Sequence, residues 1–282
     1  MSFRVAALQF QAQPGAAAAN RAHTLALIAG AAARGARVIV LPELAISGYT
    51  LDRAALAAAA EPLDGPTLAA WHEVARRLGV VIAGGFCERV GEELANAAVM
   101  VGPEGLLLHY RKLHLFDGEK AVFRPGDLGL SVADTPFGRI GLCVCYDLRF
   151  VEVMRALALK GADLVVVPTA WVGGFDKVAR DGDGLIGQAR GAIVQANLNQ
   201  VYVACASQCG ATPEMGFLGS SLIADPYGRI LSGPLPAEAA GEVVAEVDLA
   251  QAKQAQERSA RIRPRQDRRT DVYGLRLGAE TL

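Results

Sequence analysis

Long apolar runs are missing from this chain: nowhere in its 282 residues is there an uncharged apolar stretch of the about twenty residues needed to cross a bilayer. The opening segment, MSFRVAALQFQAQ, carries Arg4 inside its only apolar run and continues polar, unlike a secretory signal. A cytoplasmic location is therefore expected. Cysteine is scarce and odd in number, at five. That excludes a fully paired disulfide framework and suits a reducing compartment, leaving packing, metal binding or catalysis as uses for the thiols. An excess of either charge is lacking too. A formal net charge of −1 gives no global attraction to nucleic acid or to an anionic membrane. A small-molecule partner is the expectation that remains. No Pro-rich, Gly/Ser-rich or low-complexity linker divides the chain, so residues 1–282 are read as a single domain. With 52% hydrophobic and 20% charged residues, that domain can bury a large core and is not disordered.

What is present is an alternation of short apolar runs with helical patterns. RVAALQF and ARVIVLP flank NRAHTLALIAGAAARG, which Gly35 is placed to stop. PTLAAWHEVARRLG opens on Pro66, sets Leu68, Trp71, Ala75 and Leu78 on one face, and closes at Gly79. VVIAGGF, RIGLCVC and DLVVVPTA read as buried strands, and strands alternating with helices indicate an α/β protein. The chain also repeats itself. GARVIVLPELA at 35 resembles GADLVVVPTAW at 161, NAAVMVGPEGLLL at 96 resembles GSSLIADPYGRIL at 219, and FRVAALQF pairs with GRIGLCVC. Two related halves, each with its own sheet and helices, would pack sheet against sheet with helices outside. The last segment, residues 251–282, differs: it holds six arginines between Arg258 and Arg269 without an RNA-binding aromatic pattern. It reads as a polar C-terminal arm lying on its own domain or at a subunit interface.

Three side chains stand where chemistry is built. Cys145 falls at the predicted end of RIGLCVC, just before a helix around VEVMRALALKG that Gly161 would stop. A nucleophile on a sharp strand-to-helix turn projects out of the sheet, with backbone N–H groups available to an oxyanion. Burial is the ordinary fate of cysteine, so the partners must decide. Cys143, inside the strand, is read as packing. Glu43 ends the run VIVLPE, and strand carboxyl ends line the ligand crevice of α/β sheets. A carboxylate there, among apolar neighbours, has the raised proton affinity a general base needs. Lys112, in HYRKLHLF, would favour a thiolate and steady an oxyanion, although Arg111 beside it is an equal candidate to point inward.

LPELAISGY, YRKLHLFD and CVCYDLRF, in that order, resemble the motifs of the carbon-nitrogen hydrolase family, also called the nitrilase superfamily. The likeness spans nearly the whole chain, including RPGD at 124 and RRTDVYG in the tail, where Thr270 stands at a position commonly proline in the family. It implies an α/β four-layer α-β-β-α sandwich, homo-oligomers built from dimers to which the tail contributes, and no metal or organic cofactor. It also implies a Glu-Lys-Cys triad on Glu43, Lys112 and Cys145, with Glu119 as a supporting glutamate. Glu43 would accept the thiol proton as Cys145 attacks an amide, with Lys112 and the Tyr146 backbone N–H holding the oxyanion. Ammonia would leave, and water activated by Glu43 would hydrolyse the thioester. Glu119 would orient Lys112 or act on the leaving group.

Tyr49, Tyr146 and Trp171, at three predicted strand ends, are candidate pocket walls. Arg149 would meet a substrate carboxylate or pair with Asp147, the second being favoured. Nitrilases of the family usually follow the nucleophile with Trp-Glu; Tyr146 and Asp147 look more like amidases of small linear amides, including ω-amidases of 2-oxo acids. N-carbamoyl amines and nitriles are the alternatives, and a non-catalytic binding module on the same fold is the competitor from another class. A zinc site on Cys143, Cys145, Cys205, Cys209 and a histidine lacks the usual paired spacing. A Cys-His pair with His109 or His114 becomes unnecessary once a carboxylate base is present.

Overall fold

The computed structural model describes residues 2–174 and 176–282. The first half runs β1 (Ser2–Gln9), α1 (Ala17–Ala33), β2 (Ala36–Val40), α2 (Arg53–Ala59), α3 (Pro66–Leu78), β3 (Val81–Val90), β4 (Glu93–Gly102) and β5 (Gly105–Arg111). The second runs β6 (Val132–Thr135), β7 (Gly138–Leu142), α4 (Val151–Leu159), β8 (Leu164–Thr169), α5 (Gly187–Asn199), β9 (Tyr202–Ser207), β10 (Leu222–Ala224) and β11 (Ile230–Ser232). β12 (Gly241–Asp248) and α6 (Leu249–Gln256) lead into the tail, which ends in the small hairpin β13 (Arg276–Leu277) and β14 (Glu280–Thr281).

The halves are built alike. One sheet has the order β12-β1-β2-β3-β4-β5 and the other, read in reverse, β6-β7-β8-β9-β10-β11. In each the second, third and fourth strands are parallel and the rest antiparallel. All three repeats seen in the sequence therefore fall on equivalent strands: β1 with β7, β2 with β8, and the hairpin β4–β5 with β10–β11. The two sheets stack face to face, α1 and α3 cover one outer surface, and α4 and α5 cover the other. This is the four-layer α-β-β-α sandwich.

Strand alternation distributes the side chains among those layers. Val5, Ala7, Val38 and Val40 pack between the sheets with Ile140, Leu164 and Val166. Their neighbours Ala6, Leu8, Ile39 and Leu41 point the other way, against Ile28 of α1 and Trp71 of α3. Burial on both faces explains why these strands read as unbroken apolar runs. α3 begins with Pro66 in its first turn and stops where Gly79 turns left-handed, at φ 63°.

One boundary differs from the sequence reading. β7 ends at Leu142 rather than running to Cys145, and residues Cys145–Arg149 form a short 3-10 turn before α4. The ladder ends there because the Val144 N–H turns to Asp147 Oδ2 (3.0 Å) and Cys145 takes a left-handed φ of 47°, which lifts the chain out of the sheet.

The tail lies on its own domain through Arg265. Its guanidinium donates to the carbonyls of Ala158 (2.7 Å), Asn199 (2.8 Å), Gln200 (3.1 Å) and Ala162 (3.3 Å). These carbonyls lie at or just beyond the carboxyl ends of α4 and α5, where the helix dipole attracts a cation. Burial lowers the pKa of Arg265 to about 10, with Asp163 working against the fall. Arg265→Ala should destabilise the protein by about 2–4 kcal/mol, because several shielded carbonyls lose a charged donor. At roughly 2–4 °C per kcal/mol the melting temperature should fall by about 4–16 °C, which a thermal scan would read directly.

Candidate active site

The carboxyl ends of β2, β7 and β8 open into one crevice. Glu43 lies three residues beyond β2, Cys145 three beyond β7, and Ala170 and Trp171 follow β8. Among the described residues five non-glycines have a positive φ, and three of them are Leu44 (49°), Asp117 (43°) and Cys145 (47°). Each sits on a loop carrying a candidate residue, where a strained backbone of about 1–3 kcal/mol re-aims a side chain and is held by its surroundings.

Two glycines let those loops press onto the sheet. A Cβ on Gly85 of β3 would stand 2.5 Å from the Leu44 nitrogen and 2.8 Å from the Glu43 Cα. One on Gly126, in RPGD, would stand 2.0 Å from the Arg111 carbonyl oxygen. The Glu43 peptide is also clasped by the other half: its N–H donates to the Thr169 carbonyl (3.2 Å), and Gln208 Nε2 donates to its carbonyl (3.0 Å).

Lys112, Glu43 and Glu119 meet in the interior, at 1%, 0% and 0% exposure. Lys112 Nζ lies 2.7 Å from Glu43 Oε1 and 2.8 Å from Glu119 Oε2. Arg111, the other candidate to point inward, instead pairs with Glu88 and Asp127 nearer the surface. The two carboxylates are dressed differently. Glu119 accepts from Tyr49 Oη (2.7 Å), Lys112, Asn96 Nδ2 (3.3 Å) and the Phe116 N–H (2.8 Å), so both its oxygens are engaged. Glu43 accepts from Lys112 and Asn96 on Oε1 alone, at 2.7 Å each, while its buried Oε2 has no partner.

The electrostatics follow. Burial pushes Glu43 above the usual carboxylate range; Lys112 pulls against the rise and the Glu119 charge adds to it. Burial also lifts the Cys145 thiol well above its ordinary value, helped by Glu43 and opposed by Lys112 and the Ala170 N–H. Lys112 loses proton affinity to burial, yet Glu119 and Glu43 outweigh that and hold it well above the ordinary lysine value. At neutral pH Cys145 is therefore a thiol that would need a base to become a nucleophile, next to a cation that keeps its charge.

Cys145 keeps part of its surface open to a pocket lined by Tyr49, Phe116, Tyr146, Arg149, Trp171 and Gln188, among others. Tyr49, Tyr146 and Trp171, read as pocket walls, thus share one cavity with the thiol, and so does Arg149. Arg149 does not pair with Asp147 as expected. Asp147 is taken by Tyr110 Oη (2.7 Å), His114 Nδ1 (2.8 Å) and the Val144 N–H (3.0 Å), and Arg149 lies 3.5 Å from Asp176. His109 is committed to Glu88 at 2.8 Å. Cys87, Cys143, Cys205 and Cys209 are buried, and burial raises each thiol, Cys87 to about 12. Among the described residues no three of His, Cys, Asp and Glu stand close enough to hold a metal ion. Sequence reading missed Asn96, Gln208 and the Ala170 N–H, since none belongs to the three motifs and each is brought to the site only where β4, β9 and β8 are paired into their sheets.

Comparison with known proteins agrees with this fold. The profile of the carbon-nitrogen hydrolase family matches residues 4–257. A nitrilase from Pyrococcus abyssi is 39% identical over 79% of this chain and 81% of its own length. An omega-amidase from Homo sapiens is 31% identical over 98% of each chain. An amidase from Nesterenkonia sp. superposes with a TM-score of 0.76 at 26% identity, covering 96% of this chain and 94% of that one. A variant of that amidase carries acrylamide added at its active-site cysteine. The chain thus belongs to the carbon-nitrogen hydrolase family, and is a hydrolase of carbon–nitrogen bonds other than peptide bonds.

Proposed function

We propose that the protein hydrolyses a small, uncharged linear amide to a carboxylic acid and ammonia through a thioester on Cys145. The unpartnered Glu43 Oε2 carries this reading: of the two buried carboxylates, only Glu43 has an oxygen left to take a proton. Glu43 accepts the thiol proton as the sulfur attacks the carbonyl carbon, and Lys112 with the Tyr146 N–H receives the oxyanion. The proton passes to the nitrogen, the C–N bond breaks and ammonia leaves. Glu43 then deprotonates the water that opens the thioester. Glu119, saturated by donors, orients Lys112 and touches no reacting atom.

Substrate size and charge come from the pocket. Its free volume is about 30 Å³, space for two or three water-sized groups at roughly 10–15 Å³ each. A wider vestibule lined by Leu51, Asp117, Glu214 and Met215 lies outside it and shares Tyr49, Phe116 and Val172. Arg149, the pocket's cation, already faces Asp176. A substrate carboxylate would have to displace that contact and pass Asp117 and Glu214, so ω-amido acids are disfavoured against neutral amides of equal length.

The deciding assay is ammonia release from C3–C6 aliphatic amides, ω-amido acids, N-carbamoyl amines and nitriles. Neutral amides should lead by about tenfold or more in kcat/KM, a difference of roughly 1.4 kcal/mol. The rate should fall on the acid side as Glu43 protonates, with its midpoint above about 4.3, the ordinary glutamate value. It should hold through neutral to mildly alkaline pH because Lys112 keeps its proton. Faster turnover of carbamoyl amines or nitriles would replace the amide reading.

A homodimer belongs to the same proposal. Val151 of α4 (57% exposed) and Leu198 of α5 (50%) share a surface with Tyr273 of the tail (56%). Light scattering should return about twice the chain mass of 29.5 kDa. A cytoplasmic location is supported by five unpaired thiols and by the absence, among the described residues, of a helix long and apolar enough to cross a membrane.

A further inference from the structure

We propose that Asn96 is a positioning residue of this site: its side-chain amide locks the Glu43 carboxylate in the rotation that presents Oε2 to the Cys145 thiol. The proposal rests on the reading of Glu43 as the proton carrier and concerns what makes that carboxylate usable.

Asn96 lies in β4 at 1% exposure and touches all three buried charged residues. Nδ2 donates to Glu43 Oε1 at 2.7 Å and to Glu119 Oε1 at 3.3 Å, and its main-chain carbonyl accepts the Lys112 N–H at 2.8 Å. Electrostatics decides the amide's orientation, because the opposite flip would set Oδ1 against two carboxylate oxygens. The orientation observed leaves Oδ1 buried without a partner. An orphaned buried acceptor is unfavourable, so its retention points to a compensating role for the donor end.

That role is directional. A carboxylate can turn about its bond to the chain, and an ammonium on a flexible stem can bond either oxygen. Lys112 alone therefore does not choose which oxygen faces the thiol. A planar amide, two rotatable bonds from a paired strand, makes the choice by adding a second donor to Oε1. The same hydrogen bond favours the charged form of Glu43 and opposes the effects of burial and of Glu119. In the repeat, the residue matched to Asn96 is Gly219, so this donor exists only in the half that carries Glu43.

Asn96→Ala and Asn96→Leu both remove the donor, but only the second keeps the volume. Each should lower kcat roughly 10–100-fold by misaiming the base, with KM within about threefold of wild type. Each should also move the acid limb of kcat/KM upward by about one pH unit, and by the same amount in both. The alkylation rate of Cys145 with iodoacetamide, followed by intact mass against pH, should show the same displacement without any substrate. A packing role predicts otherwise: Asn96→Leu would resemble wild type and neither limb would move. An unmoved limb in either folded variant overturns the proposal. If wild type releases no ammonia from any amide, the functional reading fails instead, and the alkylation profile still tests Asn96.

Discussion

Cys145→Ala will release no measurable ammonia from any substrate the wild-type protein turns over, a loss of at least about 10⁴-fold, as when a covalent nucleophile is removed from a hydrolase. Its melting temperature will stay within a few degrees of wild type, because the thiol faces the pocket and holds the buried Ala170 N–H only through a weak sulfur acceptor. Glu43→Gln will separate the two half-reactions. The amide keeps the shape and the contact to Lys112 but cannot carry a proton, so steady-state turnover should fall by about 10²–10⁴-fold. Reactive acyl donors should then leave an adduct on Cys145 that persists, because the water meant to open the thioester has lost its base. Intact mass spectrometry reads this as one added acyl group per chain. Normal turnover by Cys145→Ala would remove the thiol from the chemistry altogether.

Lys112→Met is expected to harm stability as much as activity. Methionine fills much of the lysine's volume, so packing changes little, but Glu43 and Glu119 are left facing each other in the interior without their cation. Breaking a buried ion pair by removing one partner costs about 3–5 kcal/mol. For a chain of this length the melting temperature should fall by roughly 6–20 °C. The deficit should depend on pH, with a sign set by Glu43. Its pKa in the folded protein is already raised, by burial first and then by Glu119, and losing Lys112 raises it further. A raised folded pKa means that the folded state holds the proton more tightly than the unfolded chain. The variant should therefore be least impaired below the ordinary glutamate range and should weaken as pH rises through the folded pKa of Glu43. Melting curves at pH 5 and pH 8 would show it; an equal deficit at both would mean that the carboxylates are not what destabilises the variant.

The four layers, the twofold repeat and the strand-end positions of Glu43, Lys112 and Cys145 could be read from the chain because each is encoded locally. Strand runs such as ARVIV and DLVVV carry their burial in their own composition, and LPELA, YRKL and CVCYD each place one side chain at a strand end. Arg111 and Lys112 could not be told apart, since one residue of register turns either inward and only the pairing of β4 with β5 sets it. Arg149 was read with Asp147, two positions away. The fold gave Asp147 to Tyr110 and His114, which come from β5 and the loop after it.

Sequence order thus named the candidates for the chemistry, because motifs are short and the physical demands on a nucleophile, base and cation are specific. Tertiary structure decided their states. Which glutamate keeps an open oxygen, that the Cys145 thiol is raised, and that Arg149 faces Asp176 all depend on donors and charges converging from strands and loops distant in the chain. Asn96 on β4 and Gln208 just past β9 belong to that second class: an amide has no signature until the strand that carries it is paired.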